Sequence, residues 1–143
     1  MEINTKAKDN SLKIIAPVKD YAKSGLNNWS AVLLLKHDKK TFLFTGDAEE
    51  KAEKDMLAKK LVPSVDVLKV GHHGAKTSTS SAFINKTKPK YAVISVGKNG
   101  YGHPTSTVIK RLNSVKAKTY RTDKSGNIIF TSTGQKITVK TVK

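Results

Sequence analysis

Three short apolar runs constrain this chain more than any other feature, because each ends in a glycine-containing loop bearing an acid or an imidazole. Thr41-Phe42-Leu43-Phe44 leads into Thr45-Gly46-Asp47, and Val65 to Val70 leads into Gly71-His72-His73-Gly74. Tyr91 to Val96 leads into Gly97 and then Gly102-His103-Pro104. Runs of this length, rich in β-branched and aromatic residues, read as strands. Strands fix the backbone and glycines let loops approach a ligand. Side by side, the three would deliver Asp47, His72, His73 and His103 to one sheet edge, as a metal-dependent hydrolytic site needs.

The remaining pattern supplies the scaffold. Ser30 to Leu35, a turn at His37-Asp38-Lys39-Lys40, and Thr41 to Thr45 predict a hairpin. Its first strand is apolar without alternation, which predicts burial on both faces. Asp47 to Val62 reads as a helix with Glu49, Glu50 and Glu53 in its first turns, where the macrodipole favours acids, and Pro63 stops it. A short helix is expected from Ser80 to Asn85, and another with Pro104 as its first residue. Strands are expected over 118–121, 128–132 and 137–142, with turns at 123–126 and 133–134. The resulting order, β-β-α-β-α-β-α-β-β-β, is an α/β or α+β layer with its loops at one edge. At 143 residues and 37% hydrophobic content the chain can bury one core. Residues 1–26 form a polar leading segment, partly strand or disordered, with one apolar patch from Leu12 to Val18; residues 27–143 form the domain proper.

Each candidate residue admits a plain reading beside the chemical one. Asp47 after Thr-Gly reads as a helix N-cap, as a metal-bridging carboxylate, or as both, since the two roles are not exclusive. His72-His73 between two glycines suits a loop that hugs a ligand, and His103 is either a ligand at a helix start or a turn residue. His37, beside Asp38, is expected to be a solvated turn residue. The loop Ser95-Val96-Gly97-Lys98-Asn99-Gly100-Tyr101-Gly102 offers backbone N–H groups to phosphate, with Lys98 adding a charge and Asn99 and Tyr101 adding hydrogen-bonding groups. There is no cysteine, so a zinc or manganese ion would have to be held by histidine and carboxylate.

The net charge of +16 is uneven. Residues 67–143 hold fifteen Lys and Arg against one acid, Asp123, whereas residues 1–66 are nearly balanced. The basic half carries the histidine loops, so a polyanion such as DNA is the expected partner. Only Arg111 and Arg121 are arginines, which argues against base-specific readout. No run approaches the roughly 20 apolar residues of a membrane span, and the first residues do not read as a signal peptide.

Taken in order, Asn27-Asn28-Trp29-Ser30-Ala31-Val32-Leu33, Phe44-Thr45-Gly46-Asp47, Asp66-Val67-Leu68-Lys69-Val70-Gly71-His72-His73-Gly74, Lys88 to Gly97 and Asn99-Gly100-Tyr101-Gly102-His103-Pro104 resemble the metallo-β-lactamase-fold domain of ComEC-type competence proteins. The resemblance spans about 27–132 and extends to Tyr120-Arg121-Thr122-Asp123. It implies an αββα sandwich with a two-metal hydrolytic site at its loop edge. By resemblance Asp47 bridges the metals, His103 is a late ligand, and His73, with His72 second, stands near the scissile phosphate. Lys69, Ser95, Gly97, Lys98, Asn99 and Tyr101 are the expected substrate-side residues.

The His-x-His-x-Asp-His motif that supplies most ligands in that family has no counterpart among the four histidines. The chain is therefore expected to be the C-terminal half of such a domain and to hold metal weakly alone. Its completing partner would be a missing N-terminal half or a second copy, within a membrane-anchored parent facing outside the cell. The activity expected of the complete parent is a phosphodiesterase or nuclease on single-stranded DNA, and this chain alone is expected to hydrolyse slowly or not at all. Alternatives are a non-catalytic basic module that holds DNA, or an extracellular hydrolase of another phosphoester.

Overall fold

A computed structural model describes residues 1–3 and 9–143. Seven strands form one mixed sheet in chain order: β1 (Glu2–Ile3), β2 (Asn10–Ala16), β3 (Val32–His37), β4 (Lys40–Phe44), β5 (Val67–Lys69), β6 (Tyr91–Ile94) and β7 (Lys118–Arg121). β1 to β4 pair antiparallel, and β4 to β7 pair parallel. Parallel neighbours need crossovers, and these are helices: α1 (Glu50–Ala58), α2 (Ser81–Thr87) and α3 (Ser106–Ser114). β2 hydrogen-bonds to β3, so the leading segment contributes to the same sheet.

The two faces of the sheet follow from strand alternation. Leu43, Leu68 and Ala92 are in register across β4, β5 and β6, and with Ile94 they are buried against Ala52 and Met56 of α1, Phe83 and Ile84 of α2, and Val108 and Leu112 of α3. The opposite face carries the rows Phe42, Val67, Tyr91, Lys118 and Phe44, Lys69, Val93, Tyr120. A second sheet, the hairpin β8 (Asn127–Ser132) and β9 (Ile137–Val142), lies over part of this face. Phe130 anchors it edge-on to Tyr91 and Tyr120, with ring centroids 5.8 and 5.9 Å apart. Between the layers an open groove of about 640 Å³ is lined by residues that include Leu35, Phe42, Phe44, Val93, Ile128 and Phe130. This is the helix, sheet and second-layer arrangement expected of a metallo-β-lactamase-like fold.

Several local expectations are corrected. β3 is not buried on both faces; only Val32 is fully buried and Leu33 to Leu35 are half-buried, because the groove leaves that side open. Asp47 does not cap a helix, since α1 begins at Glu50 with Glu49 at the capping position. Pro104 does not open α3; it follows a cis His103–Pro104 bond, and Thr105 caps the helix by accepting from the Val108 N–H at 3.4 Å. Residues 122–125 form a one-turn helix, α4, instead of an open turn. His37 is half-buried, its Nδ1 3.0 Å from the Ser132 hydroxyl, because the second hairpin closes over the β3–β4 turn.

Candidate functional site

The carboxyl ends of β4, β5 and β6 are stitched together by side chain to backbone bonds. The buried Thr45 hydroxyl donates to the Lys69 carbonyl at 2.8 Å, joining the end of β4 to the end of β5. The His72 N–H donates to the Gly46 carbonyl at 3.0 Å, so the Asp47 turn and the histidine loop are hydrogen-bonded neighbours. Gly46 lies at φ +54°, and a Cβ there would sit 3.0 Å from that of Ser30, whose hydroxyl accepts from the Asp47 N–H. Glycine is therefore what lets the turn close and aim Asp47 outward.

The Gly71–Gly74 loop is strained. His72 (φ 46°, ψ 46°) and His73 (φ 54°, ψ 19°) are consecutive non-glycine residues in left-handed conformation. Each costs of order 1–3 kcal/mol and persists only where the surroundings over-determine it. Those surroundings are visible. Ser78 donates to the Gly71 carbonyl at 2.8 Å, and both the N–H and the hydroxyl of Thr105 donate to the Gly74 carbonyl, at 3.0 and 3.1 Å. Further out, buried Glu53 of α1 accepts the N–H groups of Thr79 and Ser80, the latter at 2.8 Å, while Arg111 of α3 donates to the carbonyls of Ser78 and Thr79 at 3.1 and 3.2 Å. Burial raises the Glu53 pKa, and the Ser80 and Thr79 donors oppose that rise.

The imidazoles converge at the site. The rings of His72 and His103 lie 5.8 Å apart, and those of His72 and His73 6.4 Å apart. His72 Nδ1 is buried without a hydrogen-bond partner, although Glu49 Oε1 stands 3.4 Å away. His73 Nδ1 is 2.7 Å from the Ser95 carbonyl, which can only accept, so the proton sits on Nδ1. This leaves Nε2 directed to the open side, 3.9 Å from Asp47 Oδ1. Desolvation, and then the neighbouring His72 and His73, hold His103 below the ordinary histidine pKa. Lys69 is also pushed down by burial, against the pull of the Asp47 charge, and its ammonium donates to the Val70 carbonyl at 3.0 Å.

The glycine-rich loop adopts a definite shape around Asn99. The Asn99 amide donates to the carbonyls of Gly97 and His103, both at 2.9 Å, and its oxygen accepts from the N–H groups of Tyr101 and His103, both at 3.1 Å. Expected at the phosphate, this side chain is engaged with its own loop and fixes the His103 backbone. Ser95 meets His73 through its carbonyl, while Gly97 and Tyr101 flank a small pocket beside His73 and His103. Lys98 is exposed in the same loop. Lys88, Lys90 and Lys116 precede β6 and β7, at the opposite end of the parallel strands from the histidines, so the basic charge of this half is not concentrated at the site.

Sequence reasoning missed Glu49, which it assigned to the helix dipole. Glu49 in fact faces His72 and accepts from the Thr77 hydroxyl at 3.1 Å. The available signal was its place two residues after Asp47, at the edge of the helix. It also missed Glu53 and Arg111 as braces of the loop behind the histidines.

Whether these residues suit a metal can be judged on the donors. The orphaned, buried His72 Nδ1 is the kind of atom a cation would satisfy. Yet among the described residues no group of three or more His, Asp or Glu converges to hold an ion, and zinc takes about four ligands. The donors come in pairs, His72 with Glu49 and His73 with Asp47, and form no complete set.

Comparison with known proteins agrees with this architecture. The family profile described as "Metallo-beta-lactamase superfamily" matches residues 11–98. The chain is 40% identical over 107 residues to ComE operon protein 3 of Bacillus subtilis (strain 168), covering 73% of this chain and 14% of that protein. It is 39% identical over 103 residues to Recombination protein 2 of Haemophilus influenzae, covering 71% and 13%. It is 41% identical over 108 residues to Competence protein ComA of Neisseria gonorrhoeae, covering 73% and 15%. The chain thus spans about one-seventh of the length of these curated relatives. With a sheet backed by three helices, a second β layer, loops gathered at the strand ends and this family profile, the chain belongs to the metallo-beta-lactamase superfamily.

Proposed function

We propose that this chain is part of a competence DNA-uptake protein and carries one flank of a metal-dependent phosphodiesterase site for single-stranded DNA. The remaining ligands come from outside the chain, from an N-terminal half-domain or a second copy, in a parent protein at the extracytoplasmic face of the membrane. Among the described residues no helix is long and apolar enough to cross a membrane, so anchorage would belong to that parent. The observation that carries the reading is the buried His72 Nδ1 with no hydrogen-bond partner, held on a strained loop against Glu49, His73 and His103.

The chain's own groups have separable tasks. A divalent metal, zinc or manganese, would supply charge neutralisation and an activated water. His73, its Nδ1–H held by the Ser95 carbonyl, presents Nε2 to a phosphate oxygen, to which it would donate as the doubly protonated imidazolium and from whose side it would accept a proton as the neutral ring. Lys69 and Lys98 offset phosphate charge, and Asn99 holds His103 in place.

The second reading, a basic module that holds DNA without cleaving it, is favoured by the lack of a three-ligand cluster among the described residues. One assay separates the two: cleavage of end-labelled single-stranded DNA with added Mn²⁺ or Zn²⁺. The hydrolytic reading expects slow, metal-dependent cleavage that drops at least about tenfold in both Asp47→Ala and His72→Ala. Absence of cleavage, with salt-sensitive DNA binding equal in all three proteins, would give the chain to the second reading.

A further inference from the structure

The loop from Gly97 to His103 contains a feature that phosphate chemistry does not use. Tyr101 is 84% exposed, although it stands on a loop pinned by four Asn99 hydrogen bonds, one of them to the Tyr101 N–H itself. Its ring stacks on His103 with centroids 5.8 Å apart and planes inclined by 29°. A large aromatic presented to water from a fixed loop costs little backbone ordering when a ligand covers it, which suits a stacking platform.

Beside the ring lies a pocket of about 210 Å³, lined by His73, Val96, Gly97, Asn99, Tyr101 and His103. That is below the roughly 300–1,000 Å³ of sites for drug-sized ligands, and suits one ring system instead of a whole nucleotide. Gly97 sharpens the point. Its φ lies outside the left-handed region, and a Cβ there would meet nothing within 4 Å, so neither backbone geometry nor packing of the protein requires glycine. Space is open at a wall of the pocket that His73 also lines. The outer walls are Val96 and aromatic faces, which suit a flat, weakly polar surface.

We propose that Tyr101, with the open floor at Gly97, forms a stacking subsite for the nucleobase adjoining the phosphate that lies against His73. The inference rests on the phosphodiester reading above and assigns to Tyr101 a role in base capture through its ring face, not in phosphate binding through its hydroxyl. Because every base has a π-face, the subsite tolerates any sequence and requires an unpaired base, which makes single strands the preferred substrate.

The test uses thymidine 5′-monophosphate, deoxyadenosine 5′-monophosphate and deoxyribose 5-phosphate as probes, titrated into the folded chain and followed by NMR shifts of its aromatic protons. Tyr101→Phe should bind both nucleotides as the parent chain does, and Tyr101→Ala should bind them about tenfold more weakly. Deoxyribose 5-phosphate should bind more weakly than either nucleotide and be indifferent to both substitutions. Gly97→Leu, whose Cβ meets nothing within 4 Å and whose side chain would occupy space at the pocket wall, should weaken nucleotide binding while leaving the melting temperature unchanged. Equal loss in Tyr101→Phe and Tyr101→Ala would assign a hydroxyl contact and overturn the proposal. So would nucleotides that bind no better than the sugar phosphate. Base-dependent binding without any DNA cleavage would sink the hydrolytic reading and leave the subsite standing; cleavage indifferent to Tyr101→Ala, with no base-dependent binding, would do the reverse.

Discussion

Glu53→Ala is expected to lower the free energy of unfolding by about 3 kcal/mol, a fall of roughly 10 °C in Tm for a domain of this size. Glu53 is 1% exposed and is the acceptor for the buried N–H groups of Thr79 and Ser80. Alanine leaves both donors without a partner, at about 1–3 kcal/mol each, and opens a cavity between α1 and α2. Thr79 is itself at φ 50°, so the same carboxylate restrains a left-handed residue. Glu53→Gln should recover only part of the loss, since an amide offers one acceptor where two donors converge. The pH dependence has a definite sign. Burial raises the Glu53 pKa above its ordinary 4.5, so the folded state holds this proton more tightly than the unfolded chain. Stability from this group is fully present below about pH 4.5 and is eroded as pH climbs through the folded value. Chemical denaturation of both proteins across pH 4 to 8 checks it: the margin of the parent chain over Glu53→Ala should shrink with rising pH, and a margin that widens would contradict the account.

Gly74→Ala is expected to cost about 3–4 kcal/mol and to detach the two histidine loops from each other. At φ +85° an L-residue pays about 1–2 kcal/mol for the left-handed backbone. The added Cβ would also stand 2.5 Å from Pro104 Cβ and 3.0 Å from Pro104 Cα, a contact that only backbone movement can relieve, for about 1–3 kcal/mol more. Gly74 accepts both Thr105 hydrogen bonds, so the displacement pulls the start of α3 and His103 away from His72. Urea denaturation measures the first effect. For the second, ring-to-ring nuclear Overhauser contacts between His72 and His103 should disappear in the variant; contacts that persist at parental strength would show that the loops are not coupled through this glycine. Gly100, where a Cβ meets nothing within 4 Å, serves as the control, and Gly100→Ala should leave both readouts unchanged.

The parts of the fold legible in the sequence are those set by periodicity. The apolar runs at 41–44, 65–70 and 91–96 became β4, β5 and β6, and the helix expected after Asp47 became α1, with Ala52 and Met56 on its buried side. What was not legible depended on contacts between distant residues. Asp47 followed by three glutamates within six residues looks like a helix start, but the Thr45–Ala48 turn takes the place of the first helical turn, and α1 begins at Glu50. Pro104 has the composition of a first helical residue, but packing of Gly74 on Pro104 and the Thr105 bonds to Gly74 set the helix two residues later. His37 looked solvated because Ser132, its partner, is ninety-five positions away. The site followed the same division. That Asp47, His72, His73 and His103 share one edge follows from strand order. Asn99 as the clasp of its loop, Glu49 beside His72 and Glu53 behind Thr79 each required three-dimensional neighbours.

The most direct test of the central claim, that this edge is a metal-binding flank, is a zinc titration read on the four imidazoles by long-range ¹H–¹⁵N correlation spectra. The readout detects weak binding and needs no catalysis. His37 is the internal reference, because it ends β3 and pairs with Lys40 at the start of β4, whereas Asp47 lies beyond the other end of that strand. The account predicts that the ring nitrogens of His72 and His103 respond first, with His73 following, while His37 keeps its shifts, and that His72→Ala abolishes the response at His103. A titration that moves His37 together with the other three, or leaves His72 unmoved, would contradict it.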